Sequence, residues 1–194
     1  MTSASTPKGE RRRQALVEAA AELLAEGGFE AVRHRAVAER AGLPLASTTY
    51  YFSSLDDLTA AAVEHESRKE LDDARAELDT LAERPRGTEV VTELVLDLLL
   101  GARSRDGGAE SVLLRYERFV GSPRRPYLAP LMRELGAELQ DLLVEIFTRS
   151  GMPVDRERLR VLTFLVDGAV VNALIESAPD PRAAARRVLR AQLG

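Results

Sequence analysis

Apolar residues recur at helical spacing along most of this chain. Leu16, Val17, Ala20, Leu23 and Leu24 follow one helix face between residues 10 and 26, and the two glycines of "EGG" then predict a stop. The same period, broken by Gly- and Pro-rich turns, predicts further helices at 33–41, 45–52, 55–83, 88–104, 109–121, 126–150, 155–177 and 180–192. We therefore predict an all-α fold of about nine helices.

The second and third of these helices are short and are separated by a glycine turn. A helix-turn-helix needs a small residue where its helices cross, and Ala38 is one. Gly42 supplies the positive φ of the turn without steric cost. Val37, Ala41 and Leu43 supply apolar contacts between the two helices. The pattern predicts a helix-turn-helix, and a helical hairpin without a role in DNA binding is the alternative.

After Arg40 the chain carries no charge until Asp56, although 30% of its residues are charged. A helix lying in the major groove is surrounded by phosphates that repel acidic groups, whereas hydroxyl and tyrosine side chains can donate to phosphates or touch base edges. Ser47 and Thr48, at the start of the third helix, are placed to contact bases. Tyr50 and Tyr51 point to different sides of the helix, so at most one faces DNA squarely.

Residues 11–60 resemble the tetracycline-repressor (TetR) family of bacterial transcription regulators. The resemblance lies in an Arg-led first helix with an "AA" pair, then "GF", "AERAG", and a Tyr-rich third helix that ends in Phe. It implies a helix-turn-helix DNA-binding domain at 9–54 and a helical effector-binding and dimerisation domain at 55–194. The candidate DNA-binding residues are Arg13, Arg33, Arg35, Leu45, Ala46, Ser47, Thr48, Thr49, Tyr50 and Tyr51.

Two positions depart from what is usual in the family. Thr49 stands where the family often has Tyr, and Leu55 stands where it often has a phosphate-contacting Lys. Loss of one backbone contact predicts a lower affinity for DNA or a weaker salt dependence.

The resemblance implies a ligand-responsive repressor that binds a near-palindromic operator as a homodimer. The helix at 159–175 is apolar nearly all round, which predicts burial on two sides, one against its own core and one against a second copy; a core helix of a monomer is the alternative. The candidate dimer-interface residues are Leu159, Val166, Val170 and Leu174.

Aromatic, Met and polar residues within the otherwise apolar helices of the second domain predict a pocket for a small apolar or amphipathic effector. A buried Asp167 would need a partner, such as Arg115 or a donor on the ligand. The candidate ligand-binding residues are Arg115, Tyr116, Phe119, Met132, Phe147, Phe164, Asp167 and Asn172.

Composition and charge agree with two functional parts. Residues 1–53 hold seven Lys and Arg against six Asp and Glu, whereas the rest holds twenty against twenty-five, within a net charge of −4. Residues 1–8 are expected to be disordered. The chain has no Cys, its N-terminus lacks the apolar run of a signal peptide, and no segment is predicted to span a membrane, so a cytoplasmic location is expected.

The sequence shows no set of residues in the pattern of a catalytic site, and no cofactor is expected. His34 and His65 are isolated from each other, so no metal site is predicted. An enzyme on a helical scaffold would need a paired acid and base, for which Glu117 and Asp167 are the only candidates. The other rival function is a helical interaction protein of the same fold that has lost its affinity for DNA.

Overall fold

The computed structural model describes residues 7–80, 84–106 and 108–194. Within these residues the chain forms nine α-helices and no β-strand, which confirms the predicted all-α fold. The helices are α1 (Pro7–Ala31), α2 (His34–Arg40), α3 (Ala46–Tyr51), α4 (Leu55–Thr80), α5 (Thr88–Leu100), α6 (Gly108–Gly121), α7 (Ala129–Arg149), α8 (Arg156–Ile175) and α9 (Pro181–Leu193). No described helix is both long enough and apolar enough to cross a membrane.

The ends of the helices follow local rules that can be read from the sequence. Ser54 accepts a hydrogen bond from the Asp57 backbone N–H at 3.0 Å and so caps α4. Asp155 and Asp180 cap α8 and α9 in the same way, at 2.7 and 2.9 Å. These caps hold the helices near their predicted starting points.

Several predicted bounds differ from the observed ones. Disorder was expected for residues 1–8, of which 1–6 lie outside the described residues, while Pro7 and Lys8 begin α1 because proline suits the first helical turn. The stop predicted at "EGG" is a break at Gly27 and Gly28, after which helical backbone resumes to Ala31. The predicted end of α4 at 81–83 also lies outside the described residues.

Two further helices are shorter than predicted because a 3₁₀ turn replaces part of each. The helix predicted at 88–104 ends at Leu100, where Gly101 takes a φ of 79°, and a 3₁₀ turn follows at 102–105. The helix predicted at 126–150 begins at Ala129, after a 3₁₀ turn over 126–128.

The chain divides into two compact units. The first contains the residues up to Arg68 together with Glu117–Leu131, and the second contains Lys69–Tyr116 and Met132–Gly194. The first half of α4 and the segment 117–131 therefore belong to the first unit.

The first unit has a core of aliphatic side chains from α1, α2 and α4. Leu16 and Val37 are fully buried, as is Leu58 near the start of α4. Arg40 on α2 donates to Glu26 at 2.8 and 3.0 Å and to Glu22 at 3.1 Å, both on α1. These contacts fix α2 against α1 and so set the position of the turn that follows.

In the second unit, α5 and α9 are joined by a row of ion pairs, here called the α5–α9 ladder. Its members, spaced four residues apart on each helix, are Glu89, Glu93 and Asp97 on α5 and Arg182, Arg186 and Arg190 on α9. Arg182 is almost fully buried and contacts Glu93 at 2.7 Å and Asp97 at 2.9 Å. Hydrogen bonds from Arg186 and Arg182 lower the pKa of Glu93 to about 2.

Candidate nucleic-acid interface and ligand cavity

The turn between α2 and α3 has the geometry that its sequence predicts. Gly42 has a φ of 63°, and the Leu43 N–H donates to the Ala38 carbonyl at 2.9 Å. Val37 and Ala38 are buried beneath the turn. Since these contacts hold α3 at its N-terminal end, the orientation of α3 on the first unit is fixed.

The outward side of α3 is uncharged and carries one large aromatic ring. Tyr50 is 80% exposed and Leu45, just before the helix, is 54% exposed. Ala46 and Thr49 are exposed as well, while Ser47 is half-buried. These five residues, here called the α3 face, are all among the predicted DNA-binding residues.

The two adjacent tyrosines have different environments, as the helical period predicts. Tyr51 is half-buried, and its ring lies at 89° to that of Tyr50 with 4.8 Å between centroids. The edge-to-face contact holds the Tyr50 ring in its outward position.

The prediction that Thr48 contacts bases is wrong. Thr48 is fully buried, and its Oγ1 donates to the Leu45 carbonyl at 2.8 Å. A threonine can be buried in a helix when its hydroxyl bonds to the preceding turn, so its polarity did not show which way it faces. Thr48 lies four residues before the buried Phe52, and this spacing was the signal that could have placed it inside.

The three predicted arginines differ in how free they are to reach a phosphate. Arg33 and Arg35 are exposed at the start of α2, with the Arg33 Nε donating to the Glu30 carbonyl at 3.0 Å. The Arg13 guanidinium lies 5.1 Å from the centroid of the Phe52 ring and is partly buried there.

The first turn of α4 carries acidic residues and no basic one. Leu55 is half-buried there, and Asp56 and Asp57 are exposed in the first turn.

In the second unit, a cavity of about 160 Å³ opens beside α4 and α5. Its lining is part apolar and part acidic. The residues are Glu70, Asp73, Ala74, Glu77, Leu78, Leu94, Asp97, Leu98, Gly101, Ala102, Arg115 and Ile146. Arg115 is the one predicted ligand-binding residue in this lining.

Arg115 is held by acceptors that surround its guanidinium. Its Nε donates to the Leu99 carbonyl at 2.9 Å and its Nη2 to the Leu98 carbonyl at 3.3 Å, while Nη1 donates to Glu70 at 2.6 Å. The two carbonyls lie in the last turn of α5, where they have no partner within the helix. Arg115 therefore closes the end of α5 and ties it to α4.

Asp167 has a different partner from the arginine proposed for it. The Tyr116 hydroxyl donates to Asp167 Oδ1 at 2.8 Å, and Arg115 pairs with Glu70 instead. Burial raises the pKa of the Asp167 carboxyl, and burial together with this carboxylate raises the pKa of Tyr116. This hydrogen bond between α6 and α8 gives Asp167 a polar partner within the protein. Neither residue lines the cavity.

The other predicted ligand-binding residues also lie outside the cavity lining. Phe147 is fully buried in the core, Met132 is half-buried on α7, and Phe119 belongs to the first unit. Phe164 is 64% exposed, and Asn172 is exposed with its amide donating to the Gly168 carbonyl at 2.7 Å. Helical spacing groups residues into stripes but does not show whether a stripe meets core, cavity or solvent.

The acidic residues of the cavity lining were not among the residues predicted from the sequence. Glu70, Asp73 and Glu77 are exposed or half-buried on α4 and have the spacing of a solvated helix face. No local signal distinguished them from the other charged residues of that helix.

The structure places the predicted dimer-interface residues on the inner side of α8. Leu159, Val166 and Val170 are buried within the unit and Leu174 is half-buried. A helix that is apolar all round gives no indication of which side faces its own core. The outward apolar residues are instead Val161, Phe164, Leu165, Val171 and Ile175, here called the α8 stripe.

Comparison with known domain families gives two matches. The family described as "Bacterial regulatory proteins, tetR family" matches residues 16–62, and the family described as "Tetracyclin repressor-like, C-terminal domain" matches residues 86–194. No curated protein matches the chain.

Solved structures resemble almost the whole chain. The multidrug binding protein EbrR complexed with ethidium is 28% identical, with a TM-score of 0.68, and the match covers 94% of this chain and 99% of that one. A TetR-family member from Streptomyces coelicolor A3 is 28% identical over 94% of this chain and 98% of its own, with a TM-score of 0.62. A TetR transcription regulator from Haloarcula marismortui, 19% identical, shares the fold with a TM-score of 0.72 over 95% of this chain and 97% of its own.

Proposed function

Since the chain belongs to the TetR family of bacterial transcription regulators, we propose that it is a repressor that binds a near-palindromic operator as a homodimer and leaves it when a small molecule binds. The α3 face carries this proposal. It is exposed, it lacks charge in a chain rich in charge, and a fixed turn orients it.

The α3 face suits the edges of bases better than it suits a protein partner. Ser47, Thr49 and Tyr50 each present a hydroxyl group, which can donate or accept within the major groove. Arg33 and Arg35 are exposed at the start of the neighbouring helix and supply charge for phosphates. An uncharged helix face that can contact bases, with arginines beside it that can contact phosphates, favours DNA over an acidic peptide as the partner.

The α8 stripe supports a homodimer. Four of its residues, together with Gly168, follow each other at alternating intervals of three and four residues on the outward side of α8: Val161, Phe164, Gly168, Val171 and Ile175. This is the spacing of a seam between two helices, and Gly168 has no side chain to hold them apart. A second copy would cover the stripe in an interface expected to exceed ~1,000 Å².

A two-fold axis between copies would present two α3 faces to one duplex. Operators are then expected to be near-palindromic, with half-sites about one DNA turn (~34–36 Å) apart or somewhat more. Binding to a chromosome places the proposed site of action in the cytoplasm, and repression requires no catalysis by this chain.

The cavity of the second unit supports a small-molecule effector. EbrR has been solved with ethidium, proflavin and malachite green, all aromatic dyes. For this chain we propose an amphipathic effector whose apolar part packs against Leu78, Leu94 and Leu98 of the cavity lining. It releases DNA only if it binds more tightly to the conformation that no longer fits the operator.

A selection from random duplex DNA tests this function. Recovered sequences are expected to share two inverted half-sites, and their affinity, measured by fluorescence anisotropy, should fall steeply with salt. The rival interaction protein of the same fold would form the dimer without enriching any duplex. That result, with a dimer present by sedimentation, would overturn the proposal.

A further inference from the structure

The cavity of the second unit combines an apolar wall with a surplus of carboxylates. Leu78, Leu94, Leu98 and Ile146 supply the apolar wall. Its volume, about 160 Å³, is enough for one benzene-sized group on such a wall.

Three of the four carboxylates in the lining come from one helix. Glu70, Asp73 and Glu77 are spaced three and four residues apart on α4, so they share a face, and α5 adds Asp97 opposite them. The only cation in the lining as described is Arg115.

These carboxylates are not equally neutralised. Glu70 pairs with Arg115 at 2.6 Å, and Asp97 pairs with Arg182 at 2.9 Å and with Arg105. Asp73 has no cation within ion-pair distance among the described residues. Arg105 attracts the Glu77 carboxylate electrostatically, so Asp73 carries the negative charge that is least offset at the α4 side of the cavity.

Arg115 does not offset this remaining charge. Three of its five N–H donors bond to the Leu98 and Leu99 carbonyls and to Glu70, and Glu70 already neutralises its charge. An anion in the cavity would therefore meet the α4 carboxylates with little positive charge to offset them.

We infer that the cavity selects an amphipathic organic cation over neutral and anionic molecules of the same shape. An aromatic ring or short alkyl group of this molecule would pack against the apolar wall, and the ammonium group of the same molecule would face Asp73 and Glu77. The inference deepens the proposed function and rests on it only for the consequence of binding, which is release of DNA. Because both carboxylates are solvent-exposed, the selectivity should weaken with salt.

Three probes of matched size test the inference by equilibrium dialysis with the full chain. They are benzyltrimethylammonium, its neutral carbon isostere neopentylbenzene, and the anion phenylacetate. The cation is expected to bind on the order of tenfold more tightly than the neutral isostere, and phenylacetate more weakly than both. Equal binding of cation and isostere, tighter binding of the anion, or no binding of the cation at millimolar concentration would overturn the inference.

Variants locate the charge that is responsible. Asp73→Asn with Glu77→Gln should lower the affinity for benzyltrimethylammonium on the order of tenfold and leave that for neopentylbenzene within about twofold. Asp72→Asn, one residue away on the same helix but outside the lining, is the matched control and should change neither. A loss of cation affinity as large in the control as in the double variant would show that net charge, not the cavity, is responsible.

The two proposals can fail separately. If the cation binds selectively but the DNA complex survives, the inference stands and the effector role of the cavity does not. If a neutral or anionic compound releases DNA while the cation does not bind, the proposed function stands and the inference is wrong.

Discussion

The α3 face and the α8 stripe are both uncharged surfaces on a chain that is 30% charged, yet they differ in chemistry. The α3 face presents hydroxyl groups and a tyrosine ring on a helix of six residues. The α8 stripe presents the Phe164 ring, Ile175 and three other aliphatic side chains along a helix of twenty residues. Absence of charge alone therefore does not identify a partner.

The partners proposed for the two surfaces give each a different reason to lack charge. On α3 an acidic group would be repelled by phosphates, whereas hydroxyl groups keep their hydrogen bonds when water leaves the groove. On α8 any charge would have to be desolvated against the same residue of a second copy, with no partner to compensate it. The α3 face would thus disfavour acidic side chains in particular, whereas the α8 stripe would disfavour any polar side chain.

The largest expected effect follows from placing a charge on the α8 stripe. Phe164→Glu should weaken self-association on the order of 100-fold or more, because two carboxylates would meet near the centre of the interface. Sedimentation over a micromolar concentration series measures it. Val120→Glu is the matched control, since Val120 is equally apolar and 67% exposed but lies on α6, and it should leave the dimer intact. Unchanged self-association of the Phe164→Glu variant would show that the α8 stripe does not form the dimer interface.

The next effect concerns the α3 face. Tyr50→Ala or Ser47→Ala should cost about 1–3 kcal/mol of binding to the selected operator while leaving thermal stability unchanged.

Thr48→Val is the matched control for these two variants. It keeps the buried shape but loses the hydrogen bond to the Leu45 carbonyl, so it should lower stability by about 1 kcal/mol without altering base preference. Anisotropy and thermal unfolding of the same samples separate the two outcomes, and a changed base preference in Thr48→Val would contradict its assignment to the interior.

A third test concerns the α5–α9 ladder, which joins α9 to α5. Glu93 has a pKa of about 2 when folded, below its ordinary value of 4.5, so its contribution to stability is present above about pH 4.5 and is lost as the pH falls towards 2. Glu93→Gln should lower the free energy of unfolding by on the order of 2 kcal/mol at neutral pH. It should also flatten the acid dependence in that window.

The same helix offers a control for the ladder. Glu89 pairs with Arg190 at a more exposed position, so Glu89→Gln should change stability by less than about 1 kcal/mol. Urea unfolding at several pH values makes the comparison. Equal losses in the two variants would show that burial of Arg182 does not strengthen the ladder.

The smallest expected effect is a gain. Leu55→Lys should strengthen binding to all DNA sequences by less than about 1 kcal/mol and increase the salt slope by about 1, since it would add one phosphate contact. Leu55→Gln is the uncharged control. A slope that does not change would show that this position does not reach the DNA backbone.

The helix-turn-helix could be read from the sequence because local rules determine it. Gly42 is needed for a positive φ, and Ser54 caps the next helix through its own hydroxyl. Such features depend on residues within one or two turns of each other. The resemblance to a family extended them to a function.

The roles of residues in the second unit could not be read in this way because they depend on contacts distant in the chain. Arg115 closes a helix that ends fifteen residues earlier and pairs with Glu70 on another. The apolar helix α8 contained no polar side from which Val170 could be assigned inward and Phe164 outward. The cavity arises where several helices leave a gap, which no single helix encodes.

The stoichiometry of the complex with DNA shows most directly whether the protein binds its operator as a homodimer. Native mass spectrometry of the protein with a selected palindromic duplex is expected to show two chains per duplex. Phe164→Glu should reduce this to one weakly bound chain or none, and Tyr50→Ala should give dimers without DNA at the same concentration. One chain bound with full affinity to a single half-site, unaffected by Phe164→Glu, would contradict operator binding as a homodimer.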